Sequence, residues 1–260
     1  MRLTERQLEW ELTREPAGRS GAANMTIDAS LLGEAARTGR AFLRLYRFDP
    51  PCLSLGRNEP AAHYDHTEIA RRGLDVVRRP TGGRAVWHEH EVTYAVAAPI
   101  ALFGSLRIAY HAIHATLVVA LRSLGVDATI ALHHPPPSST ILHHPGSCFS
   151  AAARGEVLVA GRKLVGSAQV RKRSAFLQHG SILLDGSQEV VTAISRKPQA
   201  ASAETTLARA LGRPVTFEEV ADAIVAAWGD EVTSPNLHQP PPTSTTLLSH
   251  LAPLGIGVKS

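Results

Sequence analysis

The chain has two cysteines, Cys52 and Cys148, and only four of its 27 basic residues are lysine: Lys163, Lys172, Lys197 and Lys259. Cys148 precedes Lys163 by 15 residues. A thiolate is a strong nucleophile, and an ammonium beside a thiol favours the thiolate form. Lysine differs from arginine in carrying a compact point charge and in being able to lose its proton when desolvated. In an arginine-preferring chain, the lysine of Gly161-Arg162-Lys163, at a turn between strands, is therefore a candidate for chemistry that arginine cannot do. The bland alternatives stay open on these grounds, since most lone cysteines are buried small hydrophobes and a turn lysine need have no task. Cys52, in Pro51-Cys52-Leu53, has apolar neighbours and reads as core.

Two glycine-containing segments could also meet a ligand. In Arg78-Arg79-Pro80-Thr81-Gly82-Gly83-Arg84 the glycines allow backbone N–H groups to come close to a bound molecule. The three arginines repel one another unless an anion or a carbonyl lies between them. The alternative is an exposed hairpin with a glycine turn. Gly166 and Ser167 sit inside strand material, which suggests close approach of a ligand to the backbone there. His133, His134, His143 and His144 fall in a Pro/Ser-rich stretch without a carboxylate or cysteine ligand set beyond Cys148, so no metal site is expected. The chain has no phosphate-binding loop, no dinucleotide fingerprint at a helix start and no Gly-x-Ser-x-Gly elbow.

The elements that must position these residues alternate between strand and helix. Trp10–Leu12 reads as a short opening strand. Asn24 or Thr26 caps a helix through Ile27, Leu31, Leu32 and Ala35 that stops near Gly39. Strands follow at Ala41–Phe48 and Leu53–Leu55. Asp65 with Glu68 opens a helix that ends at Gly73, and Leu74–Arg79 is a strand. Arg84–Trp87 and Val92–Ala97 read as the arms of a hairpin bent at His88-Glu89-His90-Glu91. Ser105 opens a long helix closed by Gly125. Residues 133–147 form no regular element. Strands return at Glu156–Ala160, at Leu164–Val170 and on to Leu184. Helices are expected at Ala203–Leu211 and, from a Thr216/Glu219 capping box, up to Trp228. This order predicts an α+β fold with helices flanking a largely antiparallel sheet.

Composition sets the frame. At 260 residues, 44% hydrophobic and 19% charged, the chain is an ordinary globular one, read as a single domain with 185–260 as a mostly helical C-terminal extension. Aromatics make up 5%, too few for a base-stacking nucleic-acid surface. Two cysteines cannot build a disulfide framework and fit a reduced cytoplasm. Met1–Leu12 is too charged for a secretory core, and no run approaches the roughly 18 apolar residues of a membrane span. Net charge is +4, but residues 1–184 hold 22 basic against 15 acidic residues and residues 185–260 hold 5 against 8. A basic body fits an acidic partner.

Taken together, five segments resemble the lipoate–protein ligase and octanoyltransferase family, which shares a fold with the biotin–protein ligases. They are Asn24-Met25-Thr26-Ile27-Asp28, Pro51 to Gly56, Arg78 to Thr93, Gly161 to Gln169, and Gln178-His179-Gly180-Ser181-Ile182-Leu183. The resemblance implies a class II biotin/lipoate-ligase-like catalytic domain. It implies an acyl pocket lined by Arg79, Gly82, Gly83, Arg84 and His88, and a Lys163 that contacts the acyl carbonyl. Gly166, Ser167 and His179 would join the substrate site. The text from Gly82 to Tyr94 is closest to the cysteine-dependent octanoyltransferase branch that acts on glycine-cleavage H protein, and Cys148-Phe149 stands where that branch carries its nucleophile. After it, Ala151-Ala152-Ala153 replaces an expected Pro-Ser pair. Implied are an acyl carrier protein donor, a lipoyl-domain acceptor, and no cofactor, nucleic acid or membrane. Val86, Leu164 and Ile182 are candidates for an apolar tunnel. Rival readings are an ATP-dependent lipoate–protein ligase, an amidotransferase between lipoyl domains, and a non-catalytic carrier-binding module.

Overall fold

A computed structural model describes residues 10–131, 148–149, 155–196 and 203–229. In chain order it gives β1 (Trp10–Arg19), α1 (Gly21–Thr38), β2 (Ala41–Phe48), β3 (Cys52–Leu55), α2 (His66–Arg71), β4 (Asp75–Arg78), β5 (Val86–His88), β6 (Glu91–Pro99), α3 (Leu106–Ser123) and β7 (Ala128–Ile130). Then come β8 (Val157–Val159), β9 (Arg162–Lys172), β10 (Ala175–Leu183), α4 (Glu189–Ala193), α5 (Leu207–Leu211) and α6 (Phe217–Trp228). The main sheet runs β1-β2-β6-β10-β9-β8-β7, and a three-stranded sheet runs β4-β3-β5. Only β1 with β2, and β3 with β4, pair in parallel among the named strands. The α+β expectation holds.

Helix starts that depend on a single side chain fall where the sequence puts them. Asp65 accepts from the N–H groups of Thr67 and Glu68, Ser105 from Ile108, and Thr216 from Glu219. α1 differs, because Ser20 is its cap and it begins before Asn24. The Asn24 amide instead donates to the carbonyls of Arg19 and Arg47, at 3.0 and 2.9 Å, tying the helix to the ends of β1 and β2. The opening strand is ten residues long because it pairs along β2. The helix expected over Ala203–Leu211 is only the five residues of α5, since residues 203–205 run extended beside Lys163. The expected hairpin does not form. β5 pairs with β3 in the small sheet, whereas β6 lies between β2 and β10 in the large one.

Alternation along the strands divides the interior in two. Leu43, Leu45, Val92, Tyr94, Val96, Phe176 and Ile182 face α3 and α6, where Leu117, Leu121, Phe217, Ile224 and Trp228 complete the larger core. α6 is thus built into the same core as the sheet. Phe42, Tyr46, Phe48, Ala95, Ala97 and Leu177 face the other way, toward Met25, Leu32 and Ala35 of α1. The small sheet packs Leu53, Leu55 and Trp87 against Tyr64, Ile69, Val191 and Ile194.

Candidate active site

One rung crosses four strands on the α1 side of the main sheet. Tyr46 of β2 is opposite Thr93 of β6, Thr93 is opposite Ser181 of β10, and Ser181 is opposite Gly166 of β9. Above it, β3, β5 and the segment around Arg79 border a narrow, partly open cavity of about 30 Å³. Met25, Phe48, Ser54, Arg79, Val86, His88, Cys148 and His179 supply the other walls.

Cys148 is set at the β9 end. Its N–H donates to the carbonyl of Ala85 at 2.8 Å. The next residue, Phe149, lays its ring on Gly166, so closely that a Cβ there would come within 2.9 Å of the ring. The close approach to Gly166 expected of a ligand is made instead by the Phe149 ring. Lys163 is buried, and its Nζ donates to Glu156 Oε1 at 2.5 Å and to the Cys148 carbonyl at 2.7 Å. The same nitrogen lies 3.8 Å from Cys148 Sγ. Burying an ammonium is costly unless it is paired, and Glu156 provides the pair. The Lys163 backbone is clamped from outside the sheet, with its N–H on the Ala203 carbonyl and its own carbonyl on the Thr205 N–H. A part-exposed thiol beside a fixed ammonium can act as a nucleophile whose developing negative charge has a counter-charge in place.

The cavity's polar side chains are bonded to one another. Arg79 donates to Ser54 Oγ at 3.2 Å, Ser54 Oγ lies 2.7 Å from His88 Nε2, and His88 Nδ1 lies 2.7 Å from Glu91 Oε1. A guanidinium only donates, so this network is satisfied when Ser54 gives its proton to Nε2 and Nδ1–H points at Glu91. On the other wall His179 bridges Asp28 at 2.8 Å and Thr81 at 2.7 Å. Fully buried Asp28 also accepts from Arg44 at 2.9 Å and from the Tyr46 hydroxyl at 2.8 Å. Burial and the Asp28 charge push the Tyr46 phenol well up, so it keeps the proton it donates. Behind the sheet, Ser167 joins Tyr94, at 2.7 Å, to His114, at 2.9 Å. His114 Nδ1 donates to the Gly155 carbonyl, which anchors the residue before Glu156. Burial pushes His114 down to about 4, so the ring is neutral at pH 7.

Of the residues singled out in the sequence, Arg79, His88, Cys148, Gly166, Ser167 and His179 line the cavity. Lys163 touches it through Cys148. Gly82, Gly83 and Arg84 are not among the lining residues. Carbonyls lie between the arginines: Arg78 donates to those of Gly56, Arg57 and Glu59, and Arg79 to those of Ser54, Gly82 and Arg84. The turn is stapled from within, and a Cβ on Gly56 would sit 1.9 Å from the Gly83 carbonyl oxygen. Burial shifts the Arg79 guanidinium downward, and the charges of Cys148, Glu59 and Tyr64 offset only part of that shift.

Val86 lines the cavity as expected, but Leu164 and Ile182 do not. Ile182 follows Ser181 along β10 and so faces α3 and α6, and Leu164 is packed into the same core. Met25, Tyr46 and Phe48 take their place. Asp28, Ser54, Thr81 and Glu156 were not foreseen. One signal for Asp28 is that Asn24 and Asp28 lie four apart on α1's otherwise apolar buried stripe. Cys52 is core: it is fully buried, and burial together with Asp75 pushes its thiol far up. Among the described residues no group of three or more His, Cys, Asp or Glu could hold a metal ion. The four loop histidines and Ala151-Ala152-Ala153 lie outside the described residues. No described helix is long and apolar enough to cross a membrane.

This sheet-and-cavity architecture is the lipoate–protein ligase catalytic fold. A lipoate–protein ligase A solved with ATP superposes with a TM-score of 0.69 at 18% identity, covering 94% of each chain. The lipoyl protein ligase A/B catalytic domain family matches residues 20–229, and the chain belongs to that family. A relative from Kyrpidia tusciae called octanoyltransferase LipM is 38% identical over 242 residues, 85% of this chain and 86% of the relative. Another of that name, from Symbiobacterium thermophilum, is 35% identical over 241 residues, with the same coverage. The chain is an acyltransferase of protein lipoylation.

Proposed function

We propose that this chain takes an octanoyl group from the phosphopantetheine thioester of acyl carrier protein onto Cys148 and passes it to a lysine of a lipoyl-domain protein such as glycine-cleavage H protein. No cofactor is used. The observation that carries this reading is Lys163 Nζ, 3.8 Å from Cys148 Sγ and braced by Glu156, at the end of a narrow cavity. The basic balance of residues 1–184 fits an acidic carrier. Two free cysteines fit a reducing cytoplasmic setting.

In the first half-reaction the Cys148 thiolate attacks the octanoyl carbonyl carbon. The carbon–sulfur bond to pantetheine breaks, and pantetheine leaves with the proton that Cys148 gave up. One thioester replaces another, at little cost in free energy. In the second half the acceptor amine attacks the same carbon, the bond to Sγ breaks, and the amine's proton ends on sulfur. The amide is more stable than the thioester, so no ATP is required. Lys163 offsets the thiolate charge and stands where a carbonyl oxygen held on Sγ turns anionic. A covalent nucleophile divides one difficult transfer into two easier ones.

Incubation with octanoyl-carrier, followed by intact-mass measurement, tests this. An octanoyl adduct that disappears in Cys148→Ala is expected. Absence of the adduct, together with ATP-dependent pyrophosphate release on free lipoate, would replace the reading with that of a ligase.

A further inference from the structure

The acyl cavity is bounded at its far end by a residue that also borders a second space. The rung from Gly166 to Tyr46 gives the cavity a direction, with Cys148 at the β9 end and Met25, Tyr46 and Phe48 at the β2 end. Three inter-strand spacings make this about 14 Å. An extended eight-carbon acyl group spans about 9 Å, from C–C bonds of about 1.5 Å set in a zigzag. The remaining 5 Å or so is taken up by the walls at either end. Beyond that end lies an open groove of about 300 Å³ formed by Ala17, Arg47, Asp49, Pro51, Glu89 and His90, and Phe48 lines the groove as well as the cavity.

We propose that Phe48 is the partition that sets the longest acyl chain this enzyme accepts, an inference that rests on Cys148 carrying the acyl group. Phe48 is nearly buried and is gripped on two sides. Its ring stacks on His88 with centroids 4.1 Å apart, and it leans on Tyr46 at 5.7 Å. Neither neighbour can swing aside easily. His88 is bonded at both ring nitrogens, to Ser54 and Glu91, and the Tyr46 hydroxyl is bonded to Asp28. A chain longer than the cavity must therefore displace a clamped ring, while a shorter one leaves space unfilled. Because the groove behind Phe48 is open, shortening this side chain does more than add a pocket: it joins the cavity to the groove and gives the end of a longer chain a way out. Met25, unbranched and adaptable, adjusts the fit but borders no such outlet.

The experiment uses the full chain with carrier protein charged with hexanoyl, octanoyl, decanoyl or dodecanoyl groups. Initial rates of adduct formation on Cys148 are read by intact mass for wild type, Phe48→Ala and Phe48→Leu, with thermal unfolding as a check of folding. A single methylene in a fitted apolar site changes preference by about tenfold or more. The wild type is expected to fall off steeply beyond octanoyl, and the dodecanoyl-to-octanoyl rate ratio to rise at least about thirtyfold in Phe48→Ala and by a smaller factor in Phe48→Leu. Phe48→Leu keeps an apolar side chain at the site, so the ratio can be read even where the alanine variant does not fold. An unchanged ratio in a folded variant that still forms adducts overturns the partition and leaves the Cys148 reading standing. A wild type that forms no adduct with any chain length overturns the Cys148 reading, and the partition with it.

Discussion

Replacing Lys163 by methionine separates the two things its ammonium does. The Lys163 and Glu156 side chains are 2% and 6% exposed, so water screens their pairing very little. Removing one partner of such a buried pair takes away the charge that balances the other and costs about 3–5 kcal/mol. For a domain of this size each kcal/mol lowers the unfolding midpoint by about 2–4 °C, so Lys163→Met should melt about 6–20 °C lower than wild type. A second change, Glu156→Gln, removes the carboxylate charge that Lys163 balanced, and the double variant should recover most of that loss. Activity should not follow. With no positive charge 3.8 Å from Sγ, the oxyanion and the thiolate both lose their counter-charge, and acylation of Cys148 should drop about 10²–10³-fold in both variants. Thermal unfolding by circular dichroism and rapid-mixing intact-mass kinetics read the two quantities on the same samples. A single variant that melts with wild type would show that the pair does not bear on the fold. A double variant that regains acylation would show that Lys163 only neutralises Glu156.

Three further outcomes are expected. Gly166→Ala places a methyl 2.9 Å from the Phe149 ring and should shift Cys148, lowering its acylation rate, with partial recovery in Gly166→Ala/Phe149→Leu; intact-mass kinetics of the two variants check this. His114 takes a proton near pH 6.5 in the unfolded chain but only near 4 when folded. Stability should therefore fall as pH drops through that window, by roughly 3 kcal/mol in all, with no contribution above it and no further loss below it. Urea unfolding between pH 4 and 7 should show a flatter dependence in His114→Gln, and equal slopes would contradict the assignment. Asp28→Ala removes the carboxylate shared by Arg44, Tyr46 and His179, and chemical denaturation should register a loss of about 3 kcal/mol, since Arg44 keeps Glu15.

Which features were legible in the sequence follows from how local their physics is. Asp65, Ser105 and Thr216 announce helix starts because a cap involves only the next few residues. Strand partners are not local. His88-Glu89-His90-Glu91 looks like a hairpin bend, yet β5 is drawn to Cys52–Ser54 and β6 to two long neighbours, and nothing within those residues encodes that choice. The site shows the same division. Cys148 and Lys163 could be picked out by residue type and by resemblance. Glu156 and Ser54 are common residues whose importance comes only from the partner that folding brings to each, Lys163 in one case and His88 in the other. Ile182 was misplaced by one step of alternation, the smallest register error a strand permits and enough to move a side chain to the opposite core.

In the proposed reaction, octanoyl on Cys148 is the species that reaches the acceptor. This is tested most directly by isolating the acyl-enzyme free of carrier and ATP, mixing it with an apo lipoyl domain, and following both masses in a single turnover. Octanoyl is expected to leave Cys148 and enter the lipoyl domain as an amide at the same rate, no slower than steady-state turnover. An adduct that stays on Cys148, or that hydrolyses while the lipoyl domain remains unmodified, would contradict it.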